Sequence, residues 1–213
     1  MKITYNTMQN YGYLEFKFEE LELKPIRDEI QKIRDENFTR HRADVELVSN
    51  FANEYTLPEC HDYVENLLMP VALDYYKNSG LWLDSVVVDN YGVNTTLKMT
   101  PLWVNFQKKH EFNPIHKHSG VLSFVIWIDI PYKIEDEQYI KSDKSVSISP
   151  GCFSFLYTDV LGKIKPHLIP ADCTYNNTMV LFPAGLNHCV YPFYTSDRYR
   201  ISVAGNFALS TAR

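Results

Sequence analysis

No apolar run in the chain approaches the ~20 residues that span a bilayer. The opening MKITYNTMQNYGYLEF has no apolar core of the kind a secretory signal carries. Neither a membrane-embedded nor a secreted protein is expected, and the chain reads as cytoplasmic. Cysteine pairs at ligand spacing are missing too. Cys60, Cys152, Cys173 and Cys189 are scattered without C-x-x-C, which predicts reduced thiols rather than a disulfide frame or a zinc site. In that compartment the N-x-T triplets at Asn37, Asn94 and Asn176 are chance matches. Positive charge is not in excess: the net charge is −5, and Lys108-Lys109 is a pair rather than a stripe, so nothing points strongly to nucleic acid. Internal repeats, Gly/Ser linkers and a heptad seam are absent as well.

Aromatic residues are plentiful, at 14% with 15 Tyr and 12 Phe, while charged residues make up only 22%. That balance suits a β-rich globular protein, and 213 residues suffice for a single domain with a full core. The chain divides into a helical support, residues 1–84, and a strand-rich core, residues 85–213. In the support, Tyr13–Phe18 alternates like a strand. Pro25 opens a helix with Ile26, Ile30 and Ile33 at helical spacing. A second helix is predicted from near Pro58 to Gly80, kinked or split at Pro70. Beyond it, SVVVDNYGV, PLWVNFQKK, VLSFVIWIDIPY, SVSIS, CFSFLYTD, HLIPA, TMVLFP, CVYPFY and RYRISVAGNFA read as short strands. Asn113-Pro114, Pro150-Gly151 and Pro183-Ala-Gly185 punctuate them as turns. Many short strands after two helices predict a mainly β fold. It would be a jelly roll, or double-stranded β-helix, with the N-terminal helices packed on one sheet.

Three segments carry chemistry. In His116-Lys117-His118 the histidines stand at i and i+2, so on a strand they share a face and could share a metal ion. Imidazole suits iron, zinc, copper and nickel alike, and two surface histidines near a turn would look the same. In LFPAGLNHCVYPFY a Pro-Gly turn delivers His188 to the start of a strand, where a histidine is more often structural or solvated than a ligand. In RYRIS, period 2 puts Arg200 and Ser202 on one face. If that face points inward, the arginine needs a carboxylate, which its planar fork suits. If Tyr199 points inward instead, Arg200 is solvated.

The order H-x-H, distal His, then R-x-S resembles the iron- and 2-oxoglutarate-dependent oxygenases. Within that superfamily, WVNFQKKHEFNPIHKHSGVLSFVIWIDIPY and VLFPAGLNHCVYPFYTSDRYRISVAGNF look like a branch known mostly from tailed phages of marine bacteria. The resemblance implies Fe(II) and 2-oxoglutarate as cofactor and small-molecule cosubstrate, with His116 as proximal and His188 as distal ligand. It makes Arg200, assisted by Ser202, the partner of the cosubstrate's far carboxylate, and gives Asn105 and Asn206 to the polar lining. The superfamily usually has His-x-Asp or His-x-Glu, whereas His118 stands here. Asp129, eleven residues on, would lie roughly 36 Å away along an unbroken strand, and Glu111 needs a tight turn to return. That leaves His118 as the third ligand. Two other readings stay open: a three-histidine, cupin-like metalloenzyme that needs no 2-oxoglutarate, and a non-catalytic jelly-roll binding or virion protein. The polar stretch 134–145 reads as a lid or as a solvated loop, and His167 could approach the mouth of the barrel. The substrate and the oligomeric state are not legible.

Overall fold

The computed structural model describes residues 4, 10–39, 53–81, 95–139 and 148–211. Its elements run β1 Leu14–Lys17, a 3-10 turn Glu20–Leu23, α1 Lys24–Asp35, β2 Glu54–Thr56 and α2 His61–Asn78. They continue with β3 Thr95–Met99, β4 Trp103–Gln107, β5 Asn113–His116, β6 Leu122–Asp129 and α3 Ile134–Tyr139. The last are β7 Phe153–Thr158, β8 Ile164–Ile169, β9 Thr178–Pro183, β10 Asn187–Val190 and β11 Arg200–Thr211. One sheet has the order β1-β9-β6-β11-β4-β2, with β3 also paired to β11, and the other has the order β5-β10-β7-β8. From β4 onward the chain alternates between the two sheets, except at the β7–β8 hairpin. That winding is the double-stranded β-helix the strand count predicts.

Period-2 alternation decides what each face of the larger sheet carries. Val104 and Phe106 of β4 and Ile201 and Val203 of β11 join one buried cluster with Ile26, Ile30 and Ile33 of α1 and Val64, Leu68 and Ala72 of α2. The helices therefore cover the outer face. Their mutual placement is fixed by Glu29, a buried carboxylate on α1 that accepts the main-chain N–H of Glu59 (3.0 Å) and Cys60 (2.8 Å) at the start of α2. A negative charge there also meets the positive end of the helix. The opposite face carries the alternate residues and meets the smaller sheet. Trp127, Phe153, Phe155, Val180 and Phe182, drawn from both sheets, pack there as a second cluster.

Several expectations need correcting. Pro70 neither ends nor splits α2, which runs unbroken from His61 to Asn78. Pro70 and Asn66 both face solvent, so the carbonyl left without an N–H can turn to water. Asn113-Pro114 is not a turn but the start of β5. Proline is tolerated there because β5 is an edge strand. CVYPFY contributes only its first residues to a strand, since β10 ends at Val190. SVVVDNYGV and most of SVSIS lie outside the described residues. Two strands, β2 and β3, were not foreseen. All four cysteines are free. No helix among the described residues is long and apolar enough to cross a membrane.

Candidate metal centre and anion pocket

His188 lies on β10, and antiparallel pairing sets it directly opposite His116 of β5. The two rings stand 4.2 Å apart, centroid to centroid. His118 is not on the strand, which ends at His116. It is brought in by a main-chain tie: the N–H of His118 donates to the carbonyl of Ala184 at 2.9 Å, within the turn that leads to His188. The His118 ring then lies 5.1 Å from that of His116 and 5.0 Å from that of His188. Potential ligand nitrogens of all three fall within 4.8 Å of one another. After His118 the chain reverses at Gly120, whose φ of +98° and whose closeness to the carbonyl oxygen of Phe207 (2.7 Å from an added Cβ) leave no room for a side chain.

The rings are prepared to donate lone pairs. Main-chain carbonyls can only accept, so Nδ1 of His116 donates to Pro114 O (2.7 Å) and Nδ1 of His188 donates to Leu186 O (2.9 Å). In a neutral imidazole that leaves Nε2 bare. Burial, then the neighbouring His116, holds His118 down to about 4. Burial and the other two histidines hold His188 down to about 3 against the pull of Leu186 O. Burial lowers His116 as well. All three are thus neutral near pH 7, as metal ligands must be. The donor set fits a divalent borderline cation such as Fe(II).

The histidines line an open cavity together with Trp103, Asn105, Gln107, Asn113, Trp127, Arg200 and Ser202. Two side-chain oxygens in its wall, Asn105 Oδ1 and Asn113 Oδ1, are buried without a partner among the described residues. Buried acceptors are rarely left so, and these await donors from a bound ligand or its waters.

Arg200 forms the far end, 3% exposed. Its Nε donates to Gln107 Oε1 at 2.9 Å, and Nη2 donates to the same oxygen and to Tyr191 O at 3.1 Å. Nη1 donates to Tyr132 Oη at 2.6 Å and to Gly151 O at 2.9 Å. These acceptors are all uncharged. A buried guanidinium without a carboxylate among the described residues is a costly arrangement, and it marks the cavity as one suited to an anion.

Ser202 lines the cavity beside Arg200, and Asn105 is its register partner on β4. Asn206 does not line it: its amide oxygen accepts from the Ser123 hydroxyl. Six residues of strand carry it roughly 20 Å past Arg200. Neither carboxylate weighed as a third ligand joins the centre. Asp129 pairs with Arg198 at 2.6 Å, and Glu111 accepts the N–H of Lys108. His167 lies outside the cavity, bonded to the Tyr13 hydroxyl at 3.1 Å. The first part of the 134–145 stretch is the short helix α3, fastened by Glu137, which accepts the N–H groups of Tyr194 (2.7 Å) and Thr195 (3.0 Å). Residues 140–145 lie outside the described residues. Gln107 and Tyr132 were missed. Gln107 had a signal, as the third cavity-facing residue in the alternation Trp103-Asn105-Gln107, but Tyr132 follows β6 in a segment without periodicity.

Two antiparallel sheets, a cluster of histidines able to hold a metal and a buried arginine across one cavity define a jelly-roll protein with a candidate metal site. A family model described as "Putative 2OG-Fe(II) oxygenase" matches residues 101–206, and this segment, about half the chain, belongs to that family. Among solved structures, the chain is similar to a Pseudomonas putida prolyl-4-hydroxylase at 14% identity, covering 92% of each chain with a TM-score of 0.53. It is similar to AviO1 from Streptomyces viridochromogenes Tue57 at 12% identity, covering 92% of this chain and 89% of that one with a TM-score of 0.53. The α-ketoglutarate-dependent epimerase SnoN from nogalamycin biosynthesis matches at 11% identity, covering 95% of this chain and 79% of that one with a TM-score of 0.54. At such identities the likeness is one of fold. No curated protein sequence matches the chain.

Proposed function

We propose that the chain is a 2-oxoglutarate-dependent Fe(II) dioxygenase that hydroxylates an organic substrate. The observation that carries this reading is the pairing, across one cavity, of three neutral imidazoles with a buried arginine that has only uncharged partners. A ligand with a metal-binding end and a carboxylate end spans such a site. His116, His118 and His188 would hold the metal from one side, with Pro114 O and Leu186 O fixing the tautomers of the first and third. Fe(II) bound there supplies the activation of dioxygen, coupled to oxidative decarboxylation of 2-oxoglutarate to succinate and CO2.

The protein's part is orientation and exclusion. Arg200 receives the far carboxylate, Ser202 offers a hydroxyl beside it, and Asn105 presents its amide one strand over. Trp127, Phe153, Phe182 and Val190 form apolar wall that keeps water from the reacting centre. On the strength of its sequence resemblance, we place the protein among the oxygenases of tailed phages, at work in a host cytoplasm.

A second reading has one observation in its favour. His118 stands where the superfamily carries a carboxylate, and three neutral ligands leave the cation at its full charge. A cupin-like enzyme that binds its substrate directly on the metal would suit that set, with Arg200 gripping a substrate carboxylate. Anaerobic addition of 2-oxoglutarate to the Fe(II)-loaded protein separates the two. The dioxygenase reading expects a new visible charge-transfer absorption and, on admitting air, succinate. Absence of both, with iron bound, would favour the second reading.

A further inference from the structure

The five N–H bonds of Arg200 are all taken, so a carboxylate can reach the guanidinium only by displacing an acceptor already there. Three of the four acceptor groups are fixed. Gly151 O belongs to a residue whose own N–H donates to Pro192 O at 2.8 Å. Gly151 also has a φ of +77° and no space for a side chain against Tyr132 and Glu137. Tyr191 O belongs to a residue whose N–H donates to Cys152 O at 2.9 Å. Tyr132 Oη donates to Gly151 O at 2.7 Å, and its buried ring stacks on Phe193 at 5.0 Å. The fourth is Gln107, a buried side chain that lines the cavity, lends one neutral oxygen to two N–H groups and donates from Nε2 to Glu111 O at 2.6 Å. Unlike a main-chain carbonyl or a stacked ring, it can leave by rotating its own side chain, at the cost of that bond. The two N–H groups it caps, on Nε and Nη2, form the edge that accepts a carboxylate in bidentate fashion.

We propose that Gln107 is a displaceable stand-in for the ligand's far carboxylate. Its carboxamide caps Arg200 while the cavity is free and yields the Nε–Nη2 edge when the dicarboxylate arrives. The inference rests on the reading that Arg200 anchors 2-oxoglutarate. It makes Gln107 a specificity-determining residue. A neutral end group would exchange one uncharged oxygen for another with no gain, whereas a carboxylate gains charge-assisted bonds about twice as strong. The site selects a dianion through the cost of moving Gln107.

The test is the affinity for 2-oxoglutarate of protein loaded with Mn(II), measured by titration calorimetry, in Gln107→Leu and Gln107→Glu. The leucine side chain removes the competitor, so binding should tighten about tenfold, the scale of a hydrogen bond to a charged group. The ligand should also raise the melting temperature more than it does in the wild type, because it then satisfies N–H groups the variant leaves bare. Glutamate installs a permanent carboxylate and should weaken binding at least about tenfold, with Mn(II) affinity unchanged. Were Gln107 merely a support for Arg200, the leucine variant would bind more weakly. That result, or unaltered binding in the glutamate variant, overturns the proposal, and should the leucine variant fail to fold, the near-isosteric glutamate decides it. Arg200→Met separates the two levels. Unchanged 2-oxoglutarate affinity there overturns the anchoring role itself, whereas a loss there with both Gln107 variants unchanged overturns only the exchange.

Discussion

The two ends of the cavity are polar in opposite ways. At the histidine end the two main-chain hydrogen bonds fall on the far nitrogens and leave the Nε2 atoms of His116 and His188 bare. At the arginine end no N–H of the guanidinium is left bare, because five donors meet four neutral acceptor groups. The first end is built for its ligand before the ligand arrives. The second is satisfied without it and must exchange partners to bind. The difference follows from charge: neutral imidazoles can sit unpaired in a half-buried wall at modest cost, whereas a buried guanidinium cannot.

Substitutions can break this comparison end by end. The largest effect belongs to His188→Ala, which removes the most deeply buried of the three proposed ligands. Losing a hydrogen-bond partner behind a ligand costs roughly 10- to 100-fold in metal affinity, so losing the ligand itself should cost more. Calorimetric titration with Fe(II) under anaerobic conditions would measure this, and Arg200→Met should leave the same titration unchanged. Next comes Arg200→Met at the other end, where 2-oxoglutarate affinity should fall about a hundredfold, as when one partner of a buried charged pair is removed. Equal losses at both ends from either change would mean that the ends are not independent.

Gly120→Ala tests the chain reversal that follows His118. A side chain at φ +98° against Phe207 O should lower stability by about 2 kcal/mol in urea denaturation and displace His118 with it. A further test, confined to the histidine end, is pH. The folded pKa values of His118 and His188, about 4 and about 3, lie below the ordinary 6.5 of an unfolded chain. The unfolded state therefore takes up protons first, and metal-free protein should lose stability as pH falls from about 6.5 toward 3. Stability should be flat above that window, and the arginine end should not respond, since guanidinium stays charged throughout. A loss of stability centred above pH 7 would contradict the burial of these rings.

Much of this was legible in the sequence, for physical reasons that differ from residue to residue. Ile26, Ile30 and Ile33 announce their helix because one face of it is buried. Arg200 and Ser202 point inward with Ala204, as period 2 requires, while Ile201 and Val203 face the helices. The family resemblance also gave Asn206 to the lining, but β11 is longer than the cavity and Asn206 bonds to Ser123 instead. His118 was expected on a strand and is held instead by Ala184 across the fold, a tie no local pattern reveals. Gln107 and Tyr132 take their roles from where Arg200 ends, which tertiary packing sets. β2 and β3 are short and pair only with strands far along the chain, so their partners identify them more than their own residues do.

The claim beneath the rest is that imidazoles from β5, from the loop after it and from β10 bind a single ion. X-ray absorption spectroscopy on Fe(II)-loaded protein tests it directly, with each single His→Ala variant as control. Three imidazole scatterers in the wild type, falling to two when any one of His116, His118 or His188 is replaced, is the result this account predicts. An imidazole count that His118→Ala leaves unchanged would contradict it.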